Sequence, residues 1–321
     1  MSEIYLLFAL LAVWYGAHIV VDHALIVAKQ LKVSKLFMGL TILSLGTTLP
    51  EIFTHINASL AEKSGQIASN IAIGANIGSN IFETTIMIGI LGLFTTIKSS
   101  KNIQNRDGII LLLTAILLFL LGLDGFISRS DGILLILVYL VYLFYLYSRE
   151  EKLEDIISRK SKLTHRQFNN FIHHSFLIAI GLFILQFGAE SVILNTIGLS
   201  NKYGIDQSFI GSILIGFSSA LPEFTVAVIG LIKKSRDISL GVIFGSNITN
   251  PTIAVGIGAL VYDNPISRSL LFFDLPYMFL IIVILLILFK EDHKFGKKEG
   301  ILMILFYIFY VLYKSKVYGV I

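Results

Sequence analysis

A Pro-Glu pair interrupts an apolar run at Thr47-Thr48-Leu49-Pro50-Glu51. Pro50 has no N–H, and its ring clashes with the carbonyl four residues earlier, that of Gly46. In hydrocarbon a carbonyl without a donor is costly, and a bound cation relieves it. Glu51 follows directly, and a carboxylate at membrane depth is functional by default. Thr47 lies one turn before Glu51, on the same helical face. The layout recurs at Ser219, Pro222 and Glu223, where Pro222 frees the carbonyl of Ser218.

Two further apolar runs supply partners. Ser79 and Glu83 stand four residues apart, as do Ser246 and Asn250. Gly74, Gly78, Gly241 and Gly245 are expected to let helices approach closely. The donor set is all oxygen: three carboxylates, hydroxyls, an amide carbonyl and released backbone carbonyls. Such hard ligands suit calcium, magnesium or sodium, not copper or zinc. Taken singly, each feature has a structural reading: a proline kinks, a serine bonds its own helix, a glycine packs. Three intramembrane Glu, two in duplicated motifs, favour a binding site.

Other polar residues carry less. His18 and Glu190 occupy matching positions and are candidates for an access path, with Asp22, His23 and Gln186 similar. His55 and Asn57 follow Glu51 toward a helix end and read as solvated. Asp124 and Asp131 read as surface residues, and His165, His173 and His174 as interfacial. No His-Glu-x-x-His pattern is present, and with no cysteine there is no thiolate metal site.

The elements that position these residues are membrane helices. Of 321 residues 55% are hydrophobic and only 14% charged, and the mean hydropathy is +0.82. Water cannot solvate such a surface, so a bilayer is the solvent. A net charge of +4 does not signal nucleic acid, because the basic residues sit in short loops between apolar runs. The first run carries Asp22 and His23 behind an acidic start at Glu3, so it is not read as a signal peptide. At about 20 residues per crossing, ten spans are expected: 4–28, 36–61, 66–97, 108–127, 132–148, 171–195, 207–232, 238–262, 268–289 and 300–318. The polar stretch 149–170 divides them into a first five-helix repeat, 1–148, and a second, 171–321. Alternate loops hold 19 of the 25 Lys and Arg. That bias predicts a multi-pass protein of the cell membrane with both termini extracellular and the 149–170 linker cytoplasmic.

The halves repeat. A shift of 172 residues carries Gly16-Ala17 onto Gly188-Ala189 and Leu49-Pro50-Glu51 onto Leu221-Pro222-Glu223. A shift of 167 carries Gly78-Ser79-Asn80-Ile81 onto Gly245-Ser246-Asn247-Ile248. The difference falls around Glu62 to Gln66 and Lys233 to Asp237. Five helices is an odd number, so the second half enters the membrane from the opposite side. The fold class is all-α membrane protein, an inverted repeat as in many secondary transporters.

With these segments in view, the sequence resembles the sodium/calcium exchanger family of the calcium/cation antiporter superfamily, in its minimal prokaryotic form. The likeness rests on Gly39 to Glu51 with Gly78 to Phe82, and on Gly211 to Glu223 with Gly245 to Ile248. The resemblance implies ion sites at mid-membrane between the second, third, seventh and eighth spans. Matched position by position, the ligands are Thr47, Thr48, Glu51, Ser79, Glu83, Ser219, Glu223, Ser246 and Asn250, with the carbonyls of Ser44 and Gly216. The first and sixth spans would be the gating pair. The sequence departs from the family pattern in two ways. The residue four after the motif serine is commonly Asn in the first repeat and Asp in the second, but here it is Glu83 and Asn250. Ser218-Ser219-Ala220 stands where Gly-Thr-Ser is usual, so Ala220 offers no side-chain ligand.

The function so implied is a secondary antiporter exchanging Ca2+ for Na+ by alternating access. No cofactor and no nucleic-acid partner are expected, and the unit is a monomer in lipid. The alternatives are H+/Ca2+ antiport, with Glu83 and His18 taking protons, and a cation channel. A membrane hydrolase would need a nucleophile and base that the sequence does not display.

Overall fold

The computed structural model describes residues 2–66, 68–98, 103–157, 165–203, 217, 219–290 and 294–318. Its helices are α1 (Ser2–Leu31), α2 (Lys35–Thr47), α3 (Leu49–Lys63), α4 (Ser69–Phe94), α5 (Ile103–Asp124), α6 (Arg129–Ile157) and α7 (His165–Tyr203). They continue as α8 (Leu221–Ile232), α9 (Arg236–Val261), α10 (Leu270–Lys290) and α11 (Lys297–Tyr318). Seven are long and apolar enough to cross a bilayer, or eight if the bent pair α2–α3 is one span. Phe94, Phe144, Phe183 and Phe187 are exposed on these helices, as a hydrocarbon solvent allows. The start of the expected 207–232 span, with Gly211 and Gly216, lies outside the described residues.

Local chemistry sets the helix limits. Ser34 caps α2 by accepting from Phe37 N at 3.0 Å. Pro50 falls in the first turn of α3, where its missing N–H does no harm. The chain bends there by 41°, so the expected break is present. Glu62 accepts from the backbone N–H groups of Ala68 and Ser69, each at 3.0 Å, satisfying donors at the start of α4. The polar stretch 149–170, expected as a linker, is helical at both ends: α6 runs on to Ile157 and α7 begins at His165. Many of its residues are Glu, Lys and Leu, good helix formers once free of the bilayer.

The repeat extends to element boundaries. A shift of 167 carries Ser69–Phe94 onto Arg236–Val261. It also carries the π-helical turn Glu83–Met87 onto Asn250–Ala254, and Ile103–Asp107 onto Leu270–Asp274. Strand β1 (Ile97–Lys98) maps onto β3 (Asn264–Pro265) by the same shift. The smaller offset after the Pro-Glu motifs arises because α3 has 15 residues and α8 has 12, the remainder lying in the following loop.

The chain forms two contact units that cut across the sequence halves. The first holds residues 1–47, 140–199 and 221–245. Within it α1 packs on α8 and crosses α7 at two glycines. A Cβ at Gly16 would lie 2.6 Å from Leu185 N, and one at Gly188 would lie 2.8 Å from Val13 N. These contacts are equivalent under the 172-residue shift. Polar groups gather at the helix ends: Ser34 Oγ donates to Glu150 at 2.6 Å, Lys35 Nζ to Ser235 Oγ at 3.3 Å, and Lys233 pairs with Asp22 at 2.6 Å.

The second unit holds residues 48–139, 200–220 and 246–321. In it α11 packs on the end of α4, α9 on α3, and α10 on α5. Two short antiparallel ladders pair β1 with β4 (Lys294–Phe295), and β2 (Phe126–Ile127) with β3. The paired residues are Ile97 with Phe295, Lys98 with Lys294, Phe126 with Pro265 and Ile127 with Asn264. Each ladder joins a strand of one sequence half to a strand of the other, and exchanging the halves turns one ladder into the other. Glycine contacts follow the same exchange: a Cβ at Gly132 would lie 2.6 Å from Gly256 O, and one at Gly300 would lie 2.6 Å from Gly89 O. A pseudo-two-fold relation is therefore built into this unit.

Candidate functional site

The π-helical turns of α4 and α9 begin at the two polar residues that the sequence singles out, Glu83 and Asn250. A π turn widens the helix and is frequent at functional sites. Both side chains are buried in the second unit. Glu83 accepts from Ser246 Oγ, and from Asn247 Nδ2 at 2.8 Å. Asn250 donates through Nδ2 to Asn80 Oδ1 at 3.0 Å and accepts from Thr48 Oγ1 at 3.1 Å. Asn76 Nδ2 donates to the carbonyl of Asn250 at 3.1 Å, and Asn80 Nδ2 to that of Asn247 at 3.3 Å.

This network obeys the pseudo-two-fold relation. Asn80 and Asn247 are equivalent, as are Glu83 and Asn250, and each Asn of the Gly-Ser-Asn-Ile motif bonds the polar residue of the opposite half. The chemistry differs across the axis because one member is an acid and the other an amide. Asn76, Asn80 and Asn247 are not among the expected ligands. The signal for Asn80 and Asn247 lies inside the duplicated motif and Asn76 stands just before it, but helical spacing pairs residues along one helix, and these bonds run between helices.

The serines also part company. The spacing places each one turn before the polar group of its own helix. Ser246 instead reaches Glu83 on α4, and Ser79 Oγ donates to Asn76 O at 2.9 Å. Of the four glycines expected to allow close approach, the two on α9 do so within the first unit. A Cβ at Gly245 would lie 2.7 Å from Ser44 Oγ, and one at Gly241 would lie 2.7 Å from Leu36 O. Gly74 has ordinary contact with Leu270, and a Cβ at Gly78 would meet nothing within 4 Å among the described residues.

Around the Pro-Glu break, Glu51, Thr47, Thr48 and Ser44 are all buried. Ser44 Oγ donates to Leu40 O at 2.8 Å and Thr47 Oγ1 to Leu43 O at 3.1 Å. Those bonds use the hydroxyl protons and leave oxygen lone pairs available to a cation. Glu223, in the first turn of α8, is fully buried, with the Thr47 hydroxyl and its own backbone N–H beside the carboxylate and no ion-pair partner among the described residues. A carboxylate without a counter-charge in that setting is costly unless a cation binds it. Ser219 is half-buried, while Gly216 and Ser218 lie outside the described residues.

His55 corrects the sequence reading. Solvation is expected there, but the residue is 2% exposed, because the end of α9 covers that face of α3 and Gly258 packs beside its Cβ. Asn57 and Asp124 are exposed as expected. Glu190 is exposed too and accepts from Gln186 Nε2 at 3.2 Å, while His18 rests against Trp14 with ring centroids 5.2 Å apart. Two buried acids escape the sequence reading. Asp107 and Asp274 end equivalent π turns and are both fully buried. Asp107 pairs with Arg106 at 2.8 Å, and Asp274 with Lys314 at 2.7 Å and with Tyr310. Local cations neutralise both, so unlike Glu223 each has an ion-pair partner.

Long apolar helices that carry buried polar residues in repeated positions fit the class of membrane transporters. Comparison with known proteins agrees: residues 2–148 and 173–316 match the family model described as sodium/calcium exchanger protein, and the chain belongs to that family. It is 28% identical to the sodium/calcium exchanger MaX1 of Methanosarcina acetivorans, with 96% of each chain covered. It is also 28% identical to the inner membrane protein YrbG of Escherichia coli, covering 93% of this chain and 92% of that one. Among solved structures it resembles the sodium-calcium exchanger NCX_Mj, with a TM-score of 0.82, 27% identity and 97% of each chain covered.

Proposed function

We propose that this protein is a secondary antiporter that exchanges Ca2+ for Na+ by alternating access. The observation that carries the reading is the carboxylate of Glu223, fully buried beside the Thr47 hydroxyl without an ion-pair partner among the described residues. Glu51 and Glu223 supply the carboxylate charge for calcium. Thr47, Thr48, Ser79, Ser219, Ser246 and the carbonyls of Ser44 and Gly216 supply neutral oxygens for sodium, with Glu83 and Asn250 completing the set. Either ion neutralises the same carboxylates, and the empty charged site resists crossing a low-dielectric barrier. Exchange is therefore obligatory, with each ion stabilising the conformer that it fits best. The chain acts as a transporter and carries out no covalent chemistry.

The architecture proposed for this work is ten spans in two inverted repeats, 1–148 and 171–321, working as a monomer. Loop contacts support the orientation with both termini outside. Lys35 with Ser235 and Lys98 with Lys294 join segments from the Lys-rich set. Arg129 N donates to Asp263 at 2.9 Å, joining two loops of the other set.

One observation favours a second reading. Glu83 replaces the usual amide and accepts from two neutral donors, Ser246 and Asn247, an environment in which a carboxyl can also carry a proton. That makes H+/Ca2+ exchange the competitor. Calcium uptake into reconstituted vesicles, with sodium, potassium and proton gradients imposed one at a time, separates the two. Sodium-driven uptake that Glu51→Gln and Glu223→Gln each abolish is the expected result. Uptake driven only by a pH gradient gives the function to the competitor, and uptake without any counter-ion revives a channel.

A further inference from the structure

Near the end of α1 and the start of α7, both in the first unit, two imidazoles face each other. His23 Nδ1 and His174 Nδ1 are 2.9 Å apart. Their rings stack with centroids at 4.9 Å and an interplanar angle of 29°. Both are half-buried. The exposed His173 lies beside them, its ring 5.3 Å from that of His174. The neighbouring Asp22 carboxylate is engaged by Lys233.

Two facing ring nitrogens share one proton, one donating and one accepting. With both rings protonated only at Nε2, two nitrogen lone pairs face each other across this gap. Zinc–imidazole bonds of about 2.0–2.1 Å at a tetrahedral angle put the two nitrogens about 3.3 Å apart. Reaching that from the present spacing needs an opening of only about 0.4 Å. Partial exposure leaves the other coordination positions to water. Imidazole nitrogen suits zinc, nickel and copper, whereas calcium and sodium prefer oxygen, so the ligand here belongs to a different chemical class from the transported ions.

We propose that His23 and His174 form a transition-metal site that pins α1 to α7. The two helices also cross closely at Gly16 and Gly188, and a metal bridging them holds that crossing fixed. Its inhibition of transport rests on the exchange reading, in which these helices move; its binding does not.

The test uses the full chain without a histidine tag, purified in detergent and titrated with Zn2+ by calorimetry in excess calcium. One zinc per chain is expected, undisturbed by calcium. His23→Ala and His174→Ala should each weaken it by roughly tenfold or more, and the double variant should keep the wild-type thermal midpoint in the absence of zinc. Unchanged zinc binding in the double variant, or displacement of zinc by calcium, overturns the site. In vesicles, zinc should slow calcium flux in the wild type and not in the double variant. Zinc inhibition equal in both overturns the clamp. Zinc binding lost in the double variant, beside wild-type vesicles that move no calcium at all, upholds the site and sinks the exchange reading instead.

Discussion

Glu83 and Asn250 occupy equivalent positions at the start of matching π turns, and each is held by an asparagine of the opposite half. Asn247 donates to the acid, and Asn80 accepts from the amide. The network has the same connectivity on both sides of the pseudo-axis with the proton donors and acceptors exchanged.

That relationship predicts what moving the acid should do. Glu83→Asn removes a carboxylate from the set and should lower sodium-driven calcium flux by roughly tenfold or more. Adding Asn250→Asp returns the charge at the equivalent position, where Asn80 can turn its amide to donate. Most of the flux should return in vesicles. A double variant no better than Glu83→Asn alone would remove Glu83 from the ion-binding set.

Glu223 predicts a binding signature independent of transport. Calcium that neutralises this buried carboxylate stabilises the folded protein, by about 2.7 kcal/mol at a hundredfold excess over its dissociation constant. Thermal unfolding in detergent should move upward with calcium in the wild type. In Glu223→Gln the calcium response should vanish, because the amide carries no charge to neutralise. A calcium response of wild-type size in that variant contradicts the assignment.

The helix crossing in the first unit predicts matched damage from matched residues. Gly16→Val and Gly188→Val each place side-chain atoms against the backbone of the other helix, at costs of about 1–3 kcal/mol. Both should lower the thermal midpoint by similar amounts. Gly78→Ala is the control: open space surrounds that position among the described residues, so the change should be neutral or stabilising by up to about 1 kcal/mol.

Asp274 predicts a cycle. Lys314→Met leaves the buried acid without its cation, while Tyr310 remains bonded to it. Because the Lys314 side chain is 33% exposed, the loss should be about 1–3 kcal/mol, below that for a wholly buried pair. Asp274→Asn in the same chain removes the stranded charge and should recover much of the stability. Additive losses in the double-mutant cycle would show that the two residues do not interact.

Much of the candidate site is legible because polar residues are rare in apolar runs. Pro50, Glu51, Pro222 and Glu223 stand out for that reason, and the 41° bend falls where Pro50 places it. The Asn80 and Asn247 bonds are hidden because they depend on which helices face each other. His55 misleads because distance along α3 says nothing about what covers it, and Gly258 of α9 does. Asp107 and Asp274 resemble loop charges in the sequence, although the 167-residue shift relates them. The 149–170 stretch is legible for polarity but not for conformation, since charge reports solvent contact and not backbone shape.

The two crossed ladders have a consequence for ancestry and assembly. β1 needs β4, and β2 needs β3, so a lone half would expose two unmatched strand edges. Two copies of one half, related by a two-fold axis, would satisfy every such edge with the geometry seen here. The chain thus reads as a fused homodimer, and its halves, severed after Ile157 and produced as separate polypeptides, carry complementary surfaces for reassociation.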